Sequence, residues 1–100
     1  MKQITIETLQ QWILEGINFH LIDVRESFEH EQFNIGGQLI PLNEIVNHAM
    51  DIPTDKPVIV YCKKGIRSQI AIQRLQQKTC FDNLLNLRGG TEAWLNQLKS

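Results

Sequence analysis

The stretch Val58-Ile59-Val60-Tyr61-Cys62-Lys63-Lys64-Gly65-Ile66-Arg67-Ser68, which continues as Gln69-Ile70-Ala71-Ile72-Gln73-Arg74-Leu75-Gln76-Gln77-Lys78, decides the fold. Its first residues form a short apolar run between Pro57 and a cationic, glycine-containing segment, and such a run suits a strand covered on both faces. The residues after Ser68 are good helix formers with no breaker among them, and Ile70, Ala71 and Leu75 are placed to face a sheet. A strand that passes through a short loop into a helix is the repeating unit of parallel α/β architecture.

Outward from this unit, Phe19-His20-Leu21-Ile22-Asp23-Val24, Gln38-Leu39-Ile40 and Leu84-Leu85-Asn86-Leu87 are further short, mostly apolar runs, and a brief first strand is expected near Gln3-Ile4. Between them, Leu9, Trp12 and Ile13 fall at i, i+3, i+4, while Leu42, Ile45, Val46 and Ala49 extend the same spacing to i+7; each set marks one apolar helix face. Thr5 can cap the first helix and Gly16 can end it, which predicts a helix over residues 6–15. Pro53 and Pro57 bracket the turn Thr54-Asp55-Lys56 as a connection, not a domain boundary. A last helix is expected from about Thr91, with Trp94 and Leu98 four apart. The alternation of strand and helix predicts an α/β fold, a five-stranded, mainly parallel sheet with helices on both faces. Ligands of such sheets bind at the carboxyl ends of the strands, where Cys62 lies.

A chain of 100 residues is the size of one domain, so residues 1–100 are expected to form a single unit. With 42% hydrophobic and 21% charged residues, it is expected to fold without metal or disulfide. Ten basic and eleven acidic residues leave a charge of -1, which excludes a global field toward nucleic acid or an anionic membrane. The N-terminus lacks the apolar core of a signal peptide and no run approaches a membrane span, so the expected location is cytoplasmic. Cys62 and Cys80 are too far apart for a C-x-x-C motif, and no paired His or Cys ligands stand near either. No metal site is expected.

The loop after Val58-Ile59-Val60-Tyr61 carries the chemistry. A short connection from a strand end into a helix start aims backbone N–H groups inward and adds the positive end of the helix dipole, which makes an anion cradle. A cysteine at its first position is thereby favoured as thiolate, without a neighbouring general base. Lys63, Lys64 and Arg67 add positive charge, Gly65 permits a sharp turn, and Ser68 can offer a hydroxyl or cap the following helix. Arg67 is the better candidate for oxyanion contact, since a guanidinium binds with two parallel bonds, whereas exposed lysines are common at loop tips. Cys80, beside Phe81, is expected to pack. His20, His30 and His48 read as structural or solvated groups, and Trp12 and Trp94 as core anchors.

Four segments together resemble the rhodanese family of sulfurtransferases. Leu21-Ile22-Asp23-Val24-Arg25-Glu26 resembles its D-V-R-E signature, and Asn34-Ile35-Gly36-Gly37 through Ile40-Pro41-Leu42 its second motif, which usually begins with His and often has Pro where Gly36 stands. Residues 60–68 resemble the C-x-x-G-x-R-S active-site loop, and residues 86–94 the closing L-x-G-G-x-x-x-W segment. The resemblance implies a rhodanese-like three-layer sandwich in which Cys62 is catalytic. It also implies that Lys63, Lys64, Gly65, Ile66, Arg67 and Ser68 cradle a persulfide. The implied donor is thiosulfate or another small sulfane-bearing anion; the acceptor is a low-molecular-weight thiol, cyanide or a protein thiol, and no cofactor is involved. Asp23, Arg25 and Glu26 are read first as structural, with Arg25 pairing with Glu26; the alternative is that Arg25 reaches the pocket.

Two rivals differ in kind. A cysteine phosphatase or arsenate reductase also uses a thiolate in an amide-lined loop, but those enzymes resemble C-x5-R. Here Arg67 stands five positions after Cys62 and Ser68 occupies the sixth, so the loop is one residue shorter and its cradle small for a tetrahedral phosphate. A protein-binding module or a persulfide carrier without turnover is the other rival. Retention of Cys62 within a cationic loop speaks against an inactive module, not against a carrier.

Overall fold

Period-two alternation along the central strand sorts the core into two layers. In the computed structural model, which describes residues 1–99, the chain runs β1 (Gln3–Ile4), α1 (Ile6–Glu15), β2 (His20–Asp23), α2 (Ser27–Gln32), β3 (Gln38–Leu39), a 3₁₀ helix (Leu42–Asp51), β4 (Val58–Tyr61), α3 (Ile66–Lys78), β5 (Leu84–Leu87) and α4 (Gly90–Lys99). The strands form one sheet in the order β1-β5-β4-β2-β3, and every pairing is parallel. The α/β class and five strands expected from the sequence are those observed.

Val58 and Val60 of β4 face the layer made by α3 and the 3₁₀ helix, with Ile22, Ile45, Ala71, Ile72 and Leu75. Ile59 and Tyr61 face the other layer with Leu9 of α1 and Leu87, against which Trp12 and Trp94 pack part-buried. Helix α1 has the predicted bounds: the Thr8 amide donates to Thr5 Oγ1 (3.1 Å), and Gly16 ends the helix at φ +70°.

Two expectations are corrected, those for the Leu42 face and for Cys80, and the acidic segment takes a definite form. The apolar face beginning at Leu42 winds as a 3₁₀ helix, not an α-helix, and buries only Ile45. The acidic segment around Glu29 forms the short helix α2, for which only the Glu26-x-x-Glu29 spacing gave a signal; the Glu26 amide donates to Glu29 Oε1 (3.1 Å). Cys80 is exposed, because α3 ends at Lys78 and the chain continues extended from Thr79, turning Phe81 into the core and Cys80 out of it.

Candidate active site

Strand parity decides where Cys62 points. It continues the Val58, Val60 alternation and therefore lies on the α3 side of the sheet, beneath the first turn of that helix. Its sulfur is met by two donors from that turn, the Gly65 amide at 3.1 Å and the Ser68 amide at 3.4 Å, and lies 3.4 Å from the Ser68 hydroxyl in a contact that either partner can donate. Gly65 holds φ +92°, which brings its N–H onto the sulfur.

The opposite polarity of the loop is satisfied from another element. The carbonyls of Cys62 and Lys63 accept from the Thr91 and Glu92 amides (both 2.9 Å), free donors in the first turn of α4. With the loop carbonyls turned toward α4, its amides are left to turn toward the sulfur. Gly90 makes this approach possible, since a Cβ there would stand 2.2 Å from the Cys62 carbonyl oxygen.

Cys62 is only 1% exposed, yet it lines a pocket of ≈ 280 Å³ with Lys63, Lys64, Ile66 and Arg67. Drug-sized ligands occupy pockets from about 300 Å³ upward, so this one suits a small anion. A larger cavity (≈ 380 Å³) lies at the amino ends of the strands, among Lys2, Pro57, Asp82 and Asn83, with no cysteine or histidine in its lining. The smaller pocket lies at the carboxyl end of the sheet, where parallel sheets bind ligands.

The structure brings Cys62, Lys63, Lys64, Ile66 and Arg67 to one pocket and sets Gly65 and Ser68 beneath it, both buried. Lys63 and Lys64 are exposed. Ser68 does not cap α3, which already begins at Ile66; its hydroxyl turns inward instead. Arg67 lines the pocket, but its terminal nitrogens form a fork on Glu29 of α2, Nη1 to Oε1 at 2.7 Å and Nη2 to Oε2 at 2.9 Å. The Glu29 carboxyl is thereby held down to about 2. Three of the five N–H groups of the guanidinium remain outside this fork.

Arg25 is paired with Asp23, not with Glu26. Its Nε and Nη2 reach the two carboxylate oxygens at 2.9 and 2.8 Å, and Nη2 also donates to the Phe33 carbonyl. Burial by itself would raise the Asp23 carboxyl, but the bonds from Arg25 and His30 outweigh it and hold the group below its ordinary value. The cluster ties the end of β2 to α2 and so fixes the element that carries Glu29. Among the described residues, no group of three or more His, Cys, Asp or Glu is arranged to hold a metal ion.

Two site residues escaped the sequence reading. In the sequence Glu29 is one carboxylate among several, and only folding shows which one Arg67 meets. Asn86 lies opposite Val60 in β5, 1% exposed, with its Oδ1 accepting from the Ser68 hydroxyl. A polar residue inside the apolar strand Leu84-Leu85-Asn86-Leu87 was the available signal.

A model of the Rhodanese-like domain matches residues 5–97 of this chain. The chain belongs to the rhodanese-like domain family. Relatives of this rhodanese-like domain include YqhL of Bacillus subtilis, 41% identical over 81 residues, an alignment that spans 80% of the present chain and 64% of that protein. A protein of Allochromatium vinosum named sulfurtransferase is 35% identical over 95 residues, spanning 94% of this chain and 88% of its own. Among solved structures, a rhodanese-related protein from Thermoplasma volcanium superposes with a TM-score of 0.83 at 27% identity, covering 97% of this chain and 93% of that one. No described helix is long and apolar enough to cross a membrane.

Proposed function

We propose that this rhodanese-like domain is a sulfurtransferase of the thiosulfate type, with Cys62 as nucleophile. The observation that carries the reading is the sulfur of Cys62 at the carboxyl end of β4, facing the Gly65 and Ser68 amides within a small cationic pocket. In the first step the Cys62 thiolate attacks the outer sulfur of thiosulfate; a sulfur–sulfur bond to Cys62 forms, the bond to the sulfonate sulfur breaks, and sulfite leaves with that electron pair. In the second, an acceptor nucleophile such as cyanide or a thiolate attacks the outer sulfur of the persulfide and returns the Cys62 thiolate. Lys63, Lys64 and the free edge of Arg67 attract and orient the anionic donor, and the loop amides hold the charge on sulfur. No cofactor enters the balance.

The name of the A. vinosum relative supports transfer of sulfur generally. The choice of a small donor rests on the pocket's size and charge. The domain is taken to work as one unit in the cytoplasm, with a small thiol, cyanide or a protein thiol as acceptor.

Intact-mass spectrometry tests the reading. Thiosulfate is expected to add ~32 Da, one sulfur, to the wild-type protein and nothing to Cys62→Ser. Absence of the adduct on wild type, or its equal appearance on Cys62→Ser, overturns the assignment. Since Cys80 is also a free thiol, Cys80→Ser should load normally.

A further inference from the structure

The bond directions around Ser68 leave one group unaccounted for. A serine hydroxyl has a single proton. Asn86 Oδ1 can only accept, so in the observed arrangement that proton goes to Asn86, and Ser68 can only accept from Cys62 across their 3.4 Å contact. This is the bonding of a protonated thiol. A thiolate cannot donate, and to stabilise it Ser68 must turn its proton to the sulfur and find a donor in place of Asn86 Oδ1.

That donor is already present. Asn86 Nδ2 is buried and has no hydrogen-bond partner among the described residues. Half a turn of the amide exchanges Nδ2 and Oδ1 with little change in shape, bringing the N–H group onto Ser68. The space beside Nδ2 is open because residue 65 is glycine: a Cβ there would lie 3.6 Å from Nδ2 and 3.2 Å from the Gly89 backbone nitrogen.

We propose that Asn86 is a positioning residue whose side-chain amide follows the charge of Cys62, accepting from Ser68 when the sulfur is a thiol and donating to Ser68 when it is a thiolate. This deepens the sulfur-transfer reading and rests on Cys62 being its nucleophile. Asn is suited to the role because half a turn of its amide offers either a donor or an acceptor at one point in space; a carboxylate can only accept, and an aliphatic side chain does neither. The charged groups on the surrounding elements are Lys63, Lys64 and Arg67 beside the pocket, Glu29 held by Arg67, Asp23 and Arg25 holding each other, and Glu92, whose amide meets the Lys63 carbonyl. Asn86 is the one polar residue that β5 adds to this set.

The rate of Cys62 alkylation by iodoacetamide, followed against pH in a Cys80→Ser background, tests the proposal. In Ser68→Ala and in Asn86→Asp the midpoint of the rate–pH curve should rise by about one unit, roughly a tenfold slower reaction below the midpoint, because a charge-assisted bond to the thiolate is lost. In Asn86→Leu the acceptor that draws the Ser68 proton away from the sulfur is gone, so the midpoint should not rise. A carboxylate at position 86 raises the midpoint by repulsion whether or not the amide turns, so Ser68→Ala and Asn86→Leu are the discriminating variants. No rise in Ser68→Ala, or a rise in Asn86→Leu as large as in Ser68→Ala, overturns the relay.

Wild-type protein provides a check that depends on no variant folding. Nuclear Overhauser contacts of the Asn86 side-chain amide protons should move from Gly65 below the midpoint to Ser68 above it, and an unchanged orientation overturns the proposal. Alkylation reads the thiolate whatever the sulfur chemistry, so the two readings fail separately. A wild type that takes up no sulfur from thiosulfate sinks the transfer reading; a wild type that loads while its variants show the wrong pH response sinks only the relay.

Discussion

Glu29 does its work through one contact, and its protonation measures that contact. The carboxyl titrates near 2 in the folded protein against an ordinary 4.5, with the Arg67 fork as the principal cause. A lowered value stabilises the fold in full above pH 4.5, and the contribution disappears as pH falls through 2. Arg67 remains 34% exposed, so solvent screens the pair, and Glu29→Gln is expected to cost about 1 kcal/mol near neutral pH. Urea unfolding of both proteins from pH 7 downward checks this: the difference in stability should narrow across the window from 4.5 to 2. A gap independent of pH would mean that packing, not the ion pair, separates the variants. This pair was illegible in the sequence because Glu29 and Arg67 are far apart along the chain and meet only when α2 is laid across the start of α3. The grouping around Cys62 was legible, since its neighbours in the loop are its neighbours in space.

Between elements, the decisive contact is the first turn of α4 against the back of the active-site loop. Two helix N-termini serve one loop: α3 presents amides to the sulfur, while α4 presents amides to the Cys62 and Lys63 carbonyls. Gly90 sits where they meet, at φ +60° and with its absent Cβ 2.2 Å from the Cys62 carbonyl oxygen. Gly90→Ala therefore combines a left-handed backbone, unfavourable for alanine by about 1–2 kcal/mol, with a steric clash that pushes the loop from α4. Stability should fall by at least about 2 kcal/mol in chemical denaturation, and sulfur loading should slow even under conditions where the variant is folded. Normal loading in a folded Gly90→Ala protein would show that the α4 contact does not set the amides. The sequence places Gly89 and Gly90 immediately before the last expected helix, at a turn. It did not show that the turn abuts residues 62 and 63, because that contact depends on β5 lying beside β4.

At the scale of the whole molecule, the sheet divides the core into two clusters that share strands but face apart. Leu9 belongs to the α1 and α4 side and Leu75 to the α3 side, and both are fully buried. Each Leu→Ala substitution should cost about 2–5 kcal/mol through lost burial and an unfilled cavity. Because the sheet lies between them, the costs should add to within about 0.5 kcal/mol in the double variant. Thermal and urea unfolding of the two single variants and the double variant measure this directly, with partial unfolding midpoints monitored for a loss of two-state behaviour. A larger coupling would show that the sheet transmits packing changes from one layer to the other.

By itself, the sequence determined the α/β class, the five strands, the bounds of α1 and the strand–loop–helix setting of Cys62. Each of these rests on interactions between near neighbours: alternation within a strand, a cap at a helix end, amides and cations within a few residues of Cys62. The tertiary structure alone decided that Arg25 serves Asp23, that Glu29 holds Arg67, that α4 orders the loop from behind, and that Asn86 lies one hydroxyl away from the sulfur. Those pairings join residues distant in the chain, and hydrogen bonds of that kind are selected by strand order and register rather than by local composition. Cys80 makes the same point in reverse, since its exposure follows from one extended residue after α3 that no propensity at the cysteine itself encodes.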